Sequence, residues 1–191
     1  MAQTILISSN QVKLLANDLL DQQVIKKGRF VPDYYYGSIP EAINEIVKQV
    51  RLTLVRKNIR IRSDLSITRH IHPRLHFDRR RLQQVLLNLL LNAVKFQQQG
   101  KIQIEAQVVT EDLGSNKFSL EISVLDQGIG MTEEEVSQVF DAFEGRGIGL
   151  SICKQICRSL GGNISVTSRP NVGSRFKFTM QVFQDANIDY E

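Results

Sequence analysis

Two asparagines and a lysine recur along one predicted helix at a spacing that could bind a charged ligand. Asn88, Asn92 and Lys95 occupy positions i, i+4 and i+7, which places two carboxamides and one ammonium group on the same side of a helix. A carboxamide oxygen is a suitable neutral ligand for a magnesium ion that bridges phosphates, and an ammonium group can offset phosphate charge. The alternative interpretation of the same pattern is a solvated helix face.

A second cluster, Asp126-Gln127-Gly128-Ile129-Gly130, directly follows an apolar stretch that is typical of a strand. A carboxylate at a strand end can accept a hydrogen bond from a purine amino group in a dry pocket. Gly128 and Gly130 let the backbone approach the base closely, because no Cβ stands in the way. A simple turn is the alternative, since Asp and Gly are common turn residues.

A third cluster consists of spaced glycines, Gly145, Gly147 and Gly149, which precede an apolar helix that starts near Leu150. Free backbone amides and the positive end of the helix dipole would bind phosphate there. The pattern alone is weak, and it lacks both the βαβ context of a dinucleotide fingerprint and the Walker lysine. The order of the three clusters nevertheless predicts an ATP site.

Hydrophobic periodicity indicates which elements must position these clusters. An amphipathic helix is expected over about 9–26, an extended connector over 30–37, and further helices over 38–55, 78–96, 147–160 and a short stretch after Thr132. Strands are expected at 59–62, 101–109, 117–125, 163–168 and 174–183. Because helices and strands come in blocks joined by turns, the sequence predicts an α+β fold, a two-layer sandwich whose mostly antiparallel mixed sheet is covered on one face by helices.

Composition limits the function classes. With 191 residues, 42% of them hydrophobic, the chain fits one ordinary domain with an appendage. The net charge of +4 is too small to argue for nucleic acid, although the arginines at 79–81 leave that as a weak third hypothesis. Cys153 and Cys157 are expected to be reduced core residues. No stretch suits a membrane span or a secretory leader, so we expect a cytoplasmic location, alone or as the cytosolic part of a membrane receptor.

The ordered clusters resemble the catalytic, ATP-binding domain of sensor histidine kinases, in the GHKL superfamily with its Bergerat-type fold. Residues 78–96 resemble the asparagine box of that family, 126–131 its first glycine box, 139–143 its phenylalanine box and 145–150 its second glycine box. The resemblance implies a catalytic domain at 29–184, a tail at 185–191, and a remnant of the second helix of the dimerisation and phosphoacceptor hairpin at 1–28.

The resemblance also implies a role for individual residues. Asn92 would hold Mg²⁺, Asp126 would read adenine, and Asn88 stands where hydrolysing members of the superfamily carry a glutamate general base. Lys95 would face phosphate or ribose. The remaining nucleotide contacts implied are those of Gly128, Gly130, Phe140, Phe143, Arg146, Gly147, Gly149 and Leu150.

The implied function is transfer of the γ-phosphoryl group of ATP to a histidine on a hairpin domain, in the same or the partner chain of a homodimer, with a response-regulator receiver downstream. The histidines at 70, 72 and 76 lie in the wrong region for this acceptor and are expected at the surface or in loops.

One departure concerns the mobile ATP lid of the family, since only Glu144 separates Phe143 from Gly145 here. Either the lid has been lost or the sequence omits a loop. A lost lid would expose the phosphates, weaken ATP binding and leave Arg146 as the nearby cation. The alternative function is therefore a lidless pseudokinase or scaffold that binds nucleotide weakly or not at all.

Overall fold

The computed structural model describes residues 30–65, 74–112, 116–141 and 149–184. Its helices are α1 (Ile39–Arg56), α2 (Arg79–Phe96), α3 (Glu133–Gln138) and α4 (Gly149–Ser159). Its strands are β1 (Tyr35–Gly37), β2 (Ile59–Asp64), β3 (Leu75–Phe77), β4 (Gly100–Asp112), β5 (Lys117–Leu125), β6 (Ile164–Arg169) and β7 (Gly173–Phe183).

Side-chain caps define where the two long helices begin. The Ser38 hydroxyl accepts the N–H of Glu41 at the start of α1, and Asp78 Oδ1 accepts the N–H of Arg81 at 2.9 Å at the start of α2. Asp78 Oδ2 also accepts the N–H of Asp33 at 3.0 Å, which ties the segment before β1 to α2. Both helix starts agree with the sequence prediction to within a residue.

The strands form one sheet in the order β1-β3-β7-β5-β4-β2, and β6 also pairs with β7. β6 lies along the first half of β7, from Gly173 to Phe178, whereas β3 reaches β7 only at Phe183. The pair β2–β4 is parallel and the other pairs are antiparallel. The predicted mixed, mostly antiparallel sheet is therefore confirmed.

One face of the sheet packs against the helices and the other carries charged side chains. Along β7, Phe176, Phe178, Met180 and Val182 are buried, at the alternate positions that share one face of a strand. α2 contributes the largest helical share of this core, through Leu82, Val85, Leu86, Leu89, Leu90, Ala93 and Val94. On the opposite face, the ion pair Lys177–Glu121 links β7 to its neighbour β5, and the ion pair Arg175–Glu105 reaches from β7 across β5 to β4. The two-layer architecture follows from this one-sided burial.

Two short strands correct the sequence analysis. The connector expected over 30–37 ends in β1, which pairs with β3, a strand that the periodicity did not predict. His76 lies within β3, half-buried, with its ring centroid 5.2 Å from that of Tyr36, and is not a loop residue. Three-residue strands escape prediction because they are too short to display an alternating pattern.

The remaining expectations concern the two cysteines, the first predicted helix, two histidines and membrane spans. Cys153 and Cys157 are free and buried as expected, and burial raises the pKa of the Cys157 thiol to about 12. The helix predicted over 9–26, and with it the boundary at residue 28, lies outside the described residues, as do the histidines at 70 and 72. Among the helices described, none combines the length and apolar character of a membrane span.

Candidate nucleotide-binding site

The start of α4 meets the asparagines of α2. The carboxamide Nδ2 of Asn92 donates to Oδ1 of Asn88 at 3.1 Å, so the two side chains stack along the helix as their i, i+4 spacing predicts. A Cβ at Gly149 would collide with Nδ2 of Asn88, so a side chain at this position would displace the Asn88 carboxamide. The N-terminal end of α4 therefore lies beside the asparagines.

Asp126 lies at the end of β5 with one carboxylate oxygen occupied. Its Oδ1 accepts the N–H of Gly128 at 2.8 Å and the N–H of Ser174 at 3.2 Å, and neither bond uses Oδ2. Burial raises the pKa of the Asp126 carboxyl group, while the two backbone hydrogen bonds oppose that shift. The carboxylate is held in a defined orientation and keeps an oxygen for a ligand donor.

The glycine loop after Asp126 packs between α2 and the β6–β7 turn. Ile129 donates its N–H to the carbonyl of Phe96 at 3.3 Å, and a Cβ at Gly128 would lie 2.7 Å from that same oxygen. Gly130 has φ +66°, and a side chain there would collide with the carbonyl of Arg169. Both glycines predicted to shape a base pocket are thus required by close backbone approach.

These contacts arrange the predicted site along one helix. α2 touches α4 at Asn88 and the glycine loop at Phe96, and Asn92 lies one turn from each. The structure therefore places Gly149 against Asn88, which contacts Asn92, and the 126–130 loop against the C-terminal end of the same helix.

The structure describes three of the other predicted site residues and leaves three outside the described part of the chain. Lys95 is exposed, and its Nζ lies 4.9 Å from the centre of the Phe96 ring. Phe140 is half-buried, packs edge-on against Phe176, and has the Nζ of Lys154 5.7 Å from its ring centre. Leu150 packs at the margin of the core. Phe143, Arg146 and Gly147, and with them the segment where the family carries its ATP lid, lie outside the described residues.

Sequence reasoning missed a pair of serines that support the site. Ser168 Oγ accepts the N–H of Met131 at 2.9 Å, donates to the carbonyl of Gly173 at 2.9 Å and lies 3.0 Å from Ser174 Oγ. The pair joins the glycine loop to β7, whose backbone binds Asp126 at Ser174. The only available signal was Gly173-Ser174 at the start of a strand, which does not reveal contacts between distant segments.

The donor set is compatible with a hard cation that is held mainly by its water and phosphate ligands. Among the described residues, no group of three His, Cys, Asp or Glu side chains could hold a metal. Because Asn92 uses its Nδ2 to contact Asn88, its Oδ1 is left to accept a donor or a cation. One protein oxygen next to phosphates is the kind of ligation that Mg²⁺ favours in nucleotide sites.

Comparisons with known proteins identify the family to which the fold belongs. Hybrid signal transduction histidine kinase B of Dictyostelium discoideum is 32% identical over 91% of this chain and 9% of that protein. Signal transduction histidine-protein kinase BarA of Escherichia coli K12 is 30% identical over 98% of this chain and 21% of its own length. Full-length ShkA, solved in complex with AMPPNP, superposes with a TM-score of 0.77 at 26% identity, over 97% of this chain and 39% of ShkA.

The α+β sandwich and these relatives define the class, an ATP-binding catalytic domain of the kind found in sensor histidine kinases. Residues 77–184 match the family model described as histidine kinase-, DNA gyrase B-, and HSP90-like ATPase, and the chain belongs to that family. It spans about a tenth to a fifth of the length of the two kinases with which it is compared.

Proposed function

We propose that the chain binds Mg²⁺-ATP along α2, with the base at Asp126 and the phosphates between Asn92 and the start of α4, and that it transfers the γ-phosphoryl group to a histidine of a hairpin domain. The observation that carries the proposal is the orientation of Asp126. Two backbone N–H groups hold Oδ1, and Oδ2 is left to accept the amino group of a purine.

The phosphate end of the proposed site relies on neutral donors. Gly149 begins α4 beside Asn88, so the positive end of that helix's dipole could bind phosphate oxygens there. Bound Mg²⁺ would neutralise charge on the phosphates, with Asn92 as its protein ligand. Lys95, Phe140, Leu150 and the second glycine box, including Arg146 and Gly147, stay predicted contacts.

Asn88 bears on the choice between transfer and hydrolysis. Its carboxamide cannot remove a proton from water, and its Oδ1 already accepts a hydrogen bond from Asn92. Positioning and charge neutralisation would therefore supply the catalysis, as in other phosphoryl transfers. This favours transfer to an acceptor side chain over rapid hydrolysis of ATP.

The proposed partners belong to a longer signalling protein. The acceptor would be a histidine on a hairpin domain, in the same or the partner chain of a homodimer, and residues 1–28 would be a remnant of the second helix of that hairpin. A response-regulator receiver domain would take the phosphoryl group next. We place this activity in the cytoplasm, where ATP is available.

The test is Mg²⁺-dependent ATP affinity, measured by calorimetry on the wild type and on the Asp126→Asn and Asn92→Ala variants. We expect Asp126→Asn to weaken binding about tenfold or more, because its amide nitrogen or a weaker acceptor would meet the purine amino group. Asn92→Ala should lower affinity with Mg²⁺ and have little effect without it. Equal affinity in all three proteins would refute the nucleotide site.

A second assay separates the kinase from the scaffold, an alternative that the histidine kinase relatives do not favour. A hairpin domain carrying its histidine is added with radiolabelled ATP, alongside a hairpin whose histidine is replaced by glutamine. Label on the first hairpin alone supports phosphoryl transfer. Tight ATP binding without any label would support the scaffold.

A further inference from the structure

The ladder between β4 and β5 ends just before the site, and two glutamine side chains continue it. The last backbone pair in register is Gln103 with Leu125. Beyond it, Gln97 Oε1 accepts the N–H of Gln127 at 2.9 Å, and Gln127 Oε1 accepts the N–H of Lys101 at 3.1 Å. Side-chain carboxamides thus bind the backbone N–H groups that the diverging strands leave unpaired.

Gln97 is the more constrained of the two glutamines. It directly follows the last residue of α2 and is 0% exposed, although it is polar. Its orientation is determined, because only the oxygen can accept an N–H, and among the described residues its Nε2 has no hydrogen-bond partner. Burying an unpaired donor is unfavourable, so this side chain is a poor choice for stability alone.

Gly100 provides the space for both carboxamides. It has φ +108°, and a Cβ there would lie 2.8 Å from Oε1 of Gln127 and 3.4 Å from Nε2 of Gln97. A residue with a side chain would therefore push against both carboxamides. The junction is built from three segments, the end of α2, the start of β4 and the end of β5.

The bond from Gln97 acts on the peptide that follows Asp126. The N–H of Gln127 and the carbonyl of Asp126 belong to the same planar unit. The peptide before Asp126 is held separately, since the N–H of Asp126 donates to the carbonyl of Ser174 at 2.9 Å. With both flanking peptides held, the direction of the Cα–Cβ bond of Asp126 is determined.

We propose that Gln97 is a positioning residue for base recognition: by holding the Asp126–Gln127 peptide from the end of α2, it directs Oδ2 of Asp126 at the purine amino group. The inference rests on the proposed function, because it concerns how the same site selects its base. Gln97 does not touch the nucleotide, so its loss should affect selectivity for the base more than binding of the phosphates.

Selectivity is measurable as the ratio of the dissociation constants of Mg²⁺-ITP and Mg²⁺-ATP, since inosine carries a carbonyl oxygen where adenosine carries the amino group. Gln97→Met has a similar length and no acceptor for the N–H of Gln127. We expect this variant to lower the ratio about threefold to tenfold, the range that one hydrogen bond accounts for. Its affinity for Mg²⁺-ITP should stay within about twofold of the wild type.

Three further variants separate the loss of this bond from a loss of stability. Gln97→Glu retains an acceptor oxygen in either protonation state, so the ratio should return toward the wild-type value even if the protein is less stable. Gln97→Leu repeats the loss of the acceptor if the methionine variant does not fold. Val50→Ala, a core change in α1, is the control for lost stability and should leave the ratio unchanged.

The outcomes distinguish this inference from the proposed function. If the wild type binds Mg²⁺-ATP and Mg²⁺-ITP equally, base recognition by Asp126 itself is wrong. If the wild type prefers ATP, and the methionine or leucine variant keeps that preference or weakens both nucleotides equally, Gln97 has a structural role only. Loss of the preference in Gln97→Glu would overturn the inference as well.

Discussion

At the scale of single residues, Asp126 combines a folding cost with a binding role. Burial raises the pKa of its carboxyl group, so the ionised form is less favourable in the folded chain than in the unfolded one. That cost is fully present above the folded-state pKa, declines as the pH falls from there to the unfolded-state pKa, and is absent below the unfolded-state pKa, where the group is neutral in both states. The ionised form is nevertheless the better acceptor for a purine amino group.

This conflict gives a prediction about pH. We expect ATP affinity to fall as the pH drops through the Asp126 pKa, starting at a higher pH than an ordinary aspartate would require. Asp126→Asn should lack this phase and bind weakly throughout. Because its neutral amide can keep the Gly128 and Ser174 hydrogen bonds, its thermal midpoint at pH 7 should equal or exceed that of the wild type. Calorimetric titrations and thermal melts across pH 4–8 check both points, and a large loss of stability in the variant would contradict the argument.

At the scale of elements, the short loop between β5 and α3 contacts both the end of α2 and the β6–β7 turn. The backbone of Ile129 contacts both: its N–H donates to the carbonyl of Phe96 at the end of α2, and its carbonyl accepts the N–H of Asn171 in the β6–β7 turn at 2.6 Å. The positive φ of Gly130 sets the direction of the chain directly after these contacts. Any change in that path would move the backbone expected to face the base.

Gly130→Ala tests the loop with a matched control. The alanine needs an unfavourable φ and would collide with the carbonyl of Arg169, so we expect ATP affinity to fall about tenfold or more as the loop shifts. Gly161→Ala has the same kind of strain, with φ +71°, but its Cβ would meet only the side chain of Gln181. It should lower stability by about 1 kcal/mol and leave affinity unchanged. Equal losses of affinity in the two variants would refute a local role for the loop.

At the scale of the whole molecule, the elements that form the proposed site all pack around one hydrophobic core. α2 packs on the sheet and on α4, while the loop ties the end of β5 to β6 and β7. A ligand spanning these contacts would bind only the folded chain. Its binding free energy should therefore appear as stability of the entire domain.

We expect Mg²⁺-ATP at about a hundred times its dissociation constant to add about 2.7 kcal/mol to the free energy of unfolding. A single cooperative transition should shift upward in a thermal melt. Phosphate alone at the same ionic strength is the control and should produce a much smaller shift. The Asp126→Asn variant should respond to ATP less than the wild type does. A shift confined to one of two separate transitions would show that the site belongs to only part of the fold.

The sequence by itself determined the features that depend on near neighbours along the chain. Helix spacing places Asn88 beside Asn92, Asp78 and Ser38 cap their own helices, and alternation in β5 and β7 separates a buried face from a polar one. Each follows from backbone geometry repeated over a few residues, which a sequence displays directly. The order of the clusters was likewise enough to predict the family.

Tertiary structure decided the contacts between segments that are distant in sequence. The bond from Gln97 to Gln127 spans 30 residues, and that from Ser174 to Asp126 spans 48. The pairing of β1 with β3 and the approach of Gly149 to Asn88 are of the same kind. No local pattern encodes them, because each depends on how the helices and the sheet pack together around a shared core, and packing is a property of the folded chain as a whole.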